Sequence, residues 1–314
     1  MRLITDDDVA ASVDMREAIA AMTAAFEQFG NGAGAVAPRT RAAAEHGTAG
    51  VAISAMGAAL AAAGVVGAKA YSTLAAPDRA TRSRFAMLLF SARSGEPLAA
   101  LEANEITRLR TAAVSAVALR ALAPAAGATG TLALFGAGVQ AHAHAEAFLL
   151  TRRFERVLVA ARSGGPALAD RIGAEFGVPA AAVDGAAAAR DADVIATCTR
   201  SALPLFDGST VRPGALVIGV GSAKPTVREL DDALLARAER IVVEWLPAAQ
   251  ADCGEFALSA PGVIDPTRVL ELGRLLVDRH GWQRRRDDIV VFKSVGIALA
   301  DVALARLVWE RTGG

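Results

Sequence analysis

From Asp14 to Phe29, apolar side chains recur every three or four positions (Met15, Ala18, Ile19, Met22, Ala25, Phe26, Phe29) and stop at Gly30-Asn31-Gly32. That spacing predicts an amphipathic helix with a glycine stop. Between residues 36 and 90 the pattern shortens to runs such as VAIS, GVVGAKAYS and FAMLLF, broken by Gly and Pro, which predict strands. SARSGEPLAALEA then predicts a hairpin turn with its returning strand, and a second helix is expected from Ile106 to about Leu122, ended by Ala123-Pro124.

Downstream the rhythm changes to strand and helix in alternation. TLALF (131–135), RVLVAAR (156–162), DVIAT (193–197), ALVIGV (215–220) and RIVVE (240–244) are short apolar runs. Helices are expected at Val139–Leu150 and Pro166–Phe176. Such alternation predicts an α/β domain with a doubly wound parallel sheet. After Asp288, IVVFKSVGIALADVALARLVWER reads as a turn followed by a final helix that packs back on the first domain. No internal repeat is visible, and AAAVDGAAAAR is compositional bias expected to form helix and loop.

The 314 residues suffice for two domains, and 53% hydrophobic against 21% charged residues excludes wholesale disorder. Thirty-three basic residues balance 33 acidic ones, so there is no positive excess to attract nucleic acid or an anionic membrane. Residues 47–68 carry no charge over 22 positions, but they are mostly Ala and Gly, and strands with a turn are the expectation there. The amino terminus is acidic where a signal peptide is apolar, and Cys198 and Cys253 form no metal-type pair, so a cytoplasmic protein is expected. His46, His142, His144 and His280 are not spaced as a metal site or a serine triad, and no metal is expected.

The strand TLALF runs directly into Gly136-Ala137-Gly138-Val139-Gln140-Ala141 and then a helix, which is the G-x-G-x-x-A form of the dinucleotide fingerprint in its required context. Gly136 permits the turn, Gly138 lets the backbone approach a pyrophosphate, and Ala141 allows close packing of helix on strand. The second strand ends in Arg162-Ser163 where an NAD site usually has an acidic residue. A guanidinium pairs with a 2′-phosphate, so NADPH is expected ahead of NADH. Two cations stand out elsewhere. Lys69, one of three lysines, lies inside the apolar run GVVGAKAYS and needs a partner, and Arg110 stands near the start of an apolar helix, where an anion is favoured.

Together these segments resemble the ornithine cyclodeaminase/mu-crystallin family over nearly the whole chain. The likeness is carried by Pro38-Arg39-Thr40, GAKAYS, SGEPLA, ITRLRTAAVSA, FGAGVQA, Thr197-Cys198-Thr199, KPTVRELDD and FKSVGIALAD. The resemblance implies a homodimer in which a discontinuous α/β substrate-binding and dimerisation domain (1–119 with 292–314) flanks a Rossmann-type domain (120–291). It implies that Arg39, Lys69 and Arg110 bind the carboxylate of a small amino or imino acid, with Arg41 an alternative to Arg39. Gly136, Gly138, Val139, Gln140, Arg162, Ser163, Thr199, Val220 and Ser294 are then the cofactor-binding candidates. Cyclising deaminases of the family carry an aspartate where this chain has Ala223, and a methyl group neither accepts a proton nor holds an amine. The wording GSAKPTVREL instead looks like the branch that reduces cyclic ketimines, pyrroline- or piperideine-2-carboxylate, to L-proline or L-pipecolate. Lys69, Arg110 and Ser222 are the catalytic candidates, and Ser222, Lys224 or a water the candidate proton sources. An open-chain amino-acid dehydrogenase, a cyclodeaminase with a displaced acid and a mu-crystallin-like binding protein are the alternatives.

Overall fold

The computed structural model describes residues 1–314 except 47–48, 77–78, 124–129, 222 and 278–281, with side chains also set aside at 46, 49, 76, 79 and 80. Pro124, Ser222 and His280 therefore lie outside the described residues. The chain divides into two compact units, Met1–Thr111 with Ile297–Gly314, and Ala112–Gly296. These divisions fall after Thr111 and Gly296 rather than at the 119/120 and 291/292 junctions expected above.

In the first unit, β1 (Arg2–Ile4), β2 (Ala35–Val36), β3 (Thr40–His46), β4 (Ala49–Leu60), β5 (Val65–Ala76), β6 (Arg79–Ser91) and β7 (Pro97–Glu102) form one sheet in the order β1-β7-β6-β5-β4-β2, with β3 also on β4. All pairs are antiparallel except β1 with β7. Of the uncharged stretch 47–68, residues 49–68 belong to the β4–β5 meander and 47–48 lie outside the described residues, and no described helix is long and apolar enough to cross a membrane. The period-2 alternation of β4–β6 sends Met56, Met87 and Leu89 to a buried face, and Ile53, Leu74 and Leu88 to the opposite, exposed one. The C-terminal helix, Ala298–Arg311, packs against β4 and β5.

Helix α1 (Asp6–Ser12) is started by a Thr5/Asp8 capping box, and α2 (Met15–Gly30) by an Asp14/Glu17 box. The predicted stripe of α2 is buried at Met15, Ala18, Ile19, Met22, Ala25 and Phe26. Helix α3 (Asn104–Leu122) begins against Asp6, whose carboxylate accepts from Asn104 Nδ2 at 2.7 Å and Glu105 N at 2.9 Å.

The second unit carries β8 (Gly130–Phe135), α4 (Val139–Thr151), β9 (Phe154–Ala160), α5 (Gly165–Phe176), β10 (Ala180–Ala182), α6 (Gly185–Asp191), β11 (Val194–Thr197), β12 (Leu216–Gly219), α7 (Asp232–Arg237), β13 (Arg240–Val243), α8 (Leu246–Asp252), α9 (Gly254–Ala257), β14 (Val269–Glu271), α10 (Leu272–Val277) and β15 (Val290–Lys293). Its sheet is parallel throughout, in the order β10-β9-β8-β11-β12-β15-β13-β14. The order reverses between β8 and β11, the topological switch point at which doubly wound sheets bind their ligands.

Two expectations are corrected. IVVF is no turn but β15, inserted between β12 and β13, and the alanine-rich segment supplies the edge strand β10 besides α6. Both runs are short, and non-sequential neighbours stabilise them as strands, which single-run periodicity does not reveal.

Candidate active site

The cations singled out in the sequence meet in the first unit. Lys69 sits on the buried face of β5, with Met56 and Met87 as its cross-strand partners and no exposed surface. An ammonium in such surroundings requires compensation. Its Nζ donates to Asp301 Oδ1 at 2.7 Å and to Thr107 Oγ1 at 2.8 Å, and lies 4.7 Å from the centre of the Phe85 ring. Thr107 spends its own proton on Ala103 O at 2.6 Å, so its lone pair faces the lysine.

Asp301, equally enclosed, stands in the first turn of the C-terminal helix, where the helix dipole favours a negative charge. The same Oδ1 lies 3.0 Å from Arg110 Nε. Arg110 Nη1 is buried and has no hydrogen-bond partner among the described residues. Arg39, half-buried just before β3, places Nη2 3.9 Å from the sulfur of Met56, Lys69's neighbour, whereas exposed Arg41 donates from Nε to Ser54 Oγ at 3.2 Å. Among the described residues Lys69 and Arg110 share one carboxylate, an excess of one positive charge, and the Arg39 guanidinium is near enough to act on Lys69. Burial pushes the Lys69 ammonium down to about 8, with Asp301 opposing the fall and Arg110 and Arg39 adding to it. Such a cluster has the charge to take up an anion.

In the second unit β8 ends at Gly136, whose φ of +109° puts it in the region that only glycine adopts freely. A Cβ there would meet Cys198 O at 2.8 Å, and the Gly136 N–H donates to Ala160 O at 2.8 Å, so the turn is pinned between the ends of β9 and β11. Gly138, the N-cap of α4, differs: nothing lies within 4 Å of a Cβ built on it. Ala141 is wholly buried, as close packing of α4 requires, while Val139 is 67% exposed. Open backbone amides at the start of a 13-residue helix, beside a glycine whose missing side chain leaves free space, fit the pyrophosphate of a dinucleotide. Gly138→Ala is therefore expected to leave the melting temperature unchanged while weakening NAD(P)H binding, whereas Gly136→Ala lowers both. Cofactor fluorescence titration beside thermal melts checks the pair.

Arg162 and Ser163 are exposed just beyond β9. Thr199, Val220 and Ser294 follow the ends of β11, β12 and β15, neighbours in the sheet. Val220 N donates to Thr197 O and Ser294 N to Gly219 O, both at 2.9 Å. Lys224 is exposed and Ala223 half-buried.

Two buried glutamates that the sequence reading passed over hold these strand ends. Glu229 accepts from Thr197 Oγ1 at 2.7 Å, Thr199 N at 2.8 Å, Thr199 Oγ1 at 2.6 Å and Gly221 N at 2.7 Å. Glu244 accepts from Val295 N at 2.9 Å and Gly296 N at 2.7 Å, fixing the turn after β15. Behind them Lys293, 1% exposed, pairs with Glu255 at 3.5 Å. Burial lowers the affinity of Lys293 for its proton, but the carboxylates of Glu255 and Glu229 and the Cys253 side chain outweigh it and leave the ammonium raised. Burial also raises both thiols, Cys198 well above its ordinary value and Cys253 to about 12, so neither serves as a nucleophile.

His144, on α4, is enclosed. Its Nδ1 donates to Gln140 O at 2.7 Å, since a carbonyl only accepts, and its Nε2 accepts from Ser115 Oγ at 2.9 Å. Burial pushes it from 6.5 down to about 4. Above pH 6.5 neither the folded nor the unfolded chain protonates this ring, and the fold keeps its full stability. As pH falls from 6.5 to about 4 the unfolded chain alone takes up the proton, which costs the fold about 3 kcal/mol. His144→Gln is expected to flatten the loss of urea midpoint across that window.

Comparison with known proteins decides the family. The family model for "Ornithine cyclodeaminase/mu-crystallin family" matches residues 2–314. The chain belongs to that family. A Delta(1)-pyrroline-2-carboxylate reductase of Bacillus cereus is 34% identical over 230 residues, covering 72% of this chain and 70% of the relative. A probable ornithine cyclodeaminase from Bordetella pertussis superposes with a TM-score of 0.92 at 39% identity, covering 99% of this chain and 97% of that one. The Delta(1)-pyrroline-2-carboxylate reductase of Thermococcus litoralis, solved with NADH and L-proline, gives 0.90 at 26% identity, covering 99% and 97%. Family members thus include proteins named as reductases and as cyclodeaminases.

Proposed function

We propose that this protein reduces a cyclic ketimine carboxylate, Δ1-pyrroline-2-carboxylate or Δ1-piperideine-2-carboxylate, to L-proline or L-pipecolate with NAD(P)H. The observation that carries the reading is the enclosed cation cluster. Its net positive charge and the unpartnered buried Nη1 of Arg110 suit a small carboxylate, and the names of the Bacillus and Thermococcus relatives supply the ring. Arg110, supported by Lys69 and Arg39, grips the carboxylate and so orients the imine carbon, the entropic part of the catalysis. Gly136, Gly138, Val139 and Gln140 would hold the pyrophosphate and Thr199, Val220 and Ser294 the nicotinamide end of NAD(P)H, which when bound would supply the hydride. The imine reacts best as its iminium, which brings the proton with the substrate. Ala223 offers no acid to bind the side-chain amine of ornithine, which disfavours cyclodeamination.

Arg162 and Ser163, with no acidic residue beside them at the strand end, favour NADPH over NADH. The exposed face of the first-unit sheet, with Ile53, Leu74 and Leu88 among small residues such as Ala55, Ala68 and Ala86, is read as the homodimer surface. The test is oxidation of NADPH and of NADH with Δ1-pyrroline-2-carboxylate, without ammonia, beside L-ornithine. Ammonia-independent oxidation, faster with NADPH, is expected. Release of ammonia from ornithine, or reduction that requires added ammonia, would contradict the reading. Sedimentation of the cofactor-loaded protein at twice 32.1 kDa is the expected dimer result.

A further inference from the structure

The Lys69–Arg110 cluster contains a group for which the carboxylate-binding reading above has no use. Asp301 is wholly buried, and a buried anion placed among carboxylate-binding cations ought to compete with the substrate for them. Its bonding shows a different role. Oδ1 alone engages both cations: it accepts a hydrogen bond from Lys69 Nζ at 2.7 Å and forms an ion pair with Arg110 Nε at 3.0 Å, a contact too poorly aligned to count as a hydrogen bond. Oδ2 is buried with no hydrogen-bond partner among the described residues. Solvent reaches neither Asp301 nor Lys69, while Arg110 keeps 8% of its side chain exposed. The order is therefore Asp301 at the back, Lys69 beside it and Arg110 outermost.

We infer that Asp301 is a positioning residue for carboxylate capture: it keeps the enclosed Lys69 ammonium charged and holds the Arg110 guanidinium by Nε, leaving the terminal nitrogens of Arg110 for the substrate anion. This inference rests on the proposed function for the identity of the anion, though not for the charge-holding role.

The charged groups that face Lys69 are Asp301 from the C-terminal helix, Arg110 from α3 and Arg39 from the segment before β3; Thr107 Oγ1 and the Phe85 face are neutral. Of these, Asp301 alone favours the ammonium, and burial and the two arginines all oppose it. With Asp301 in place the lysine loses its proton near pH 8, so it is charged at neutral pH and neutral above that point. Without Asp301 every remaining charged neighbour acts in the same direction, and the loss must move to lower pH. Lys69 would then be neutral at pH 7.5, and Arg110 would lose both its Nε anchor and a neighbouring positive charge.

The test uses the full-length protein loaded with NADP(H). Because the chain has only three lysines, Lys69, Lys224 and Lys293, labelling lysine with 13C at Cε gives three NMR signals, and loss of one in Lys69→Met assigns it. In the wild type that signal should titrate near pH 8. In Asp301→Asn its midpoint should fall by about one pH unit or more, a tenfold change in the charged-to-neutral ratio, and Asp301→Glu should restore most of it. The second readout is the variant-to-wild-type ratio of KM for Δ1-pyrroline-2-carboxylate, in which the imine's own titration cancels. For Asp301→Asn this ratio should be about tenfold or more at pH 7.5 and shrink toward pH 6, where Lys69 recharges, with kcat and NADPH affinity changed much less. An unmoved lysine midpoint would overturn the inference, as would a KM ratio that is the same at both pH values, since a merely structural defect has no reason to follow the lysine. If the wild type reduces no cyclic imine, the proposed function fails, and the NMR titration alone still decides for or against Asp301.

Discussion

Arg110→Ala is expected to raise KM for the cyclic imine by about 100-fold, close to 3 kcal/mol, while NADPH affinity stays near its wild-type value. The size follows from what is removed: a charge-assisted contact in a site with little access to water, where the substrate carboxylate would be left desolvated with fewer partners. The variant should still fold, because Asp301 keeps its 2.7 Å bond to Lys69 and is not stranded as a lone buried charge. Arg110→Lys restores a point charge without the planar fork and should recover only part of the loss. Initial rates against imine concentration, with cofactor binding measured separately by fluorescence, check both variants. An unchanged KM would remove Arg110 from the carboxylate site.

The other large effect is at Glu229. Its two oxygens together accept four hydrogen bonds, two of them from backbone N–H groups at the ends of β11 and β12. Glu229→Gln keeps the shape but turns one acceptor into an NH2 group that faces donors, so buried N–H and O–H groups lose their partner at a cost of about 1–3 kcal/mol each. The space is already tight, since a Cβ on Gly221 would lie 2.4 Å from Glu229 Oε1 and 2.1 Å from Thr199 O. We expect a clear drop in melting temperature and at least about tenfold weaker NADPH binding. A variant that melts earlier but binds NADPH as tightly as wild type would make Glu229 a purely structural clamp.

How far the site was legible depends on whether its physics is local. The fingerprint could be read because strand, glycine turn and helix start are contiguous, and Gly136 has the positive φ its role requires. Lys69 could be read as an anomaly, a charge in an apolar strand that needed a partner. Asp301 is the same kind of anomaly, a lone acid in GIALADVALA, yet the two stand 232 positions apart and only tertiary packing joins them. Glu229 lies within KPTVRELDD as one charge among several, and its burial comes from the strand ends that converge on it. The amphipathic helix α2 and most strands of the parallel sheet followed from periodicity. The strand β15 did not, because its partners β12 and β13 lie elsewhere in the chain. The short helix α1, started by its Thr5/Asp8 capping box, has too little apolar periodicity in its run of three aspartates to announce itself in sequence.

In the proposed reaction a hydride reaches the ring carbon of an already cyclic imine. The most direct measurement is to supply NADPH deuterated at nicotinamide C4 on the transferred face, with Δ1-pyrroline-2-carboxylate and no ammonia, and to locate the label by NMR and mass spectrometry. Deuterium at Cα of L-proline, one atom per NADPH consumed, is the predicted result. Cofactor oxidation with unlabelled proline, or label appearing only in an open-chain amino acid when ammonia is added, would contradict it.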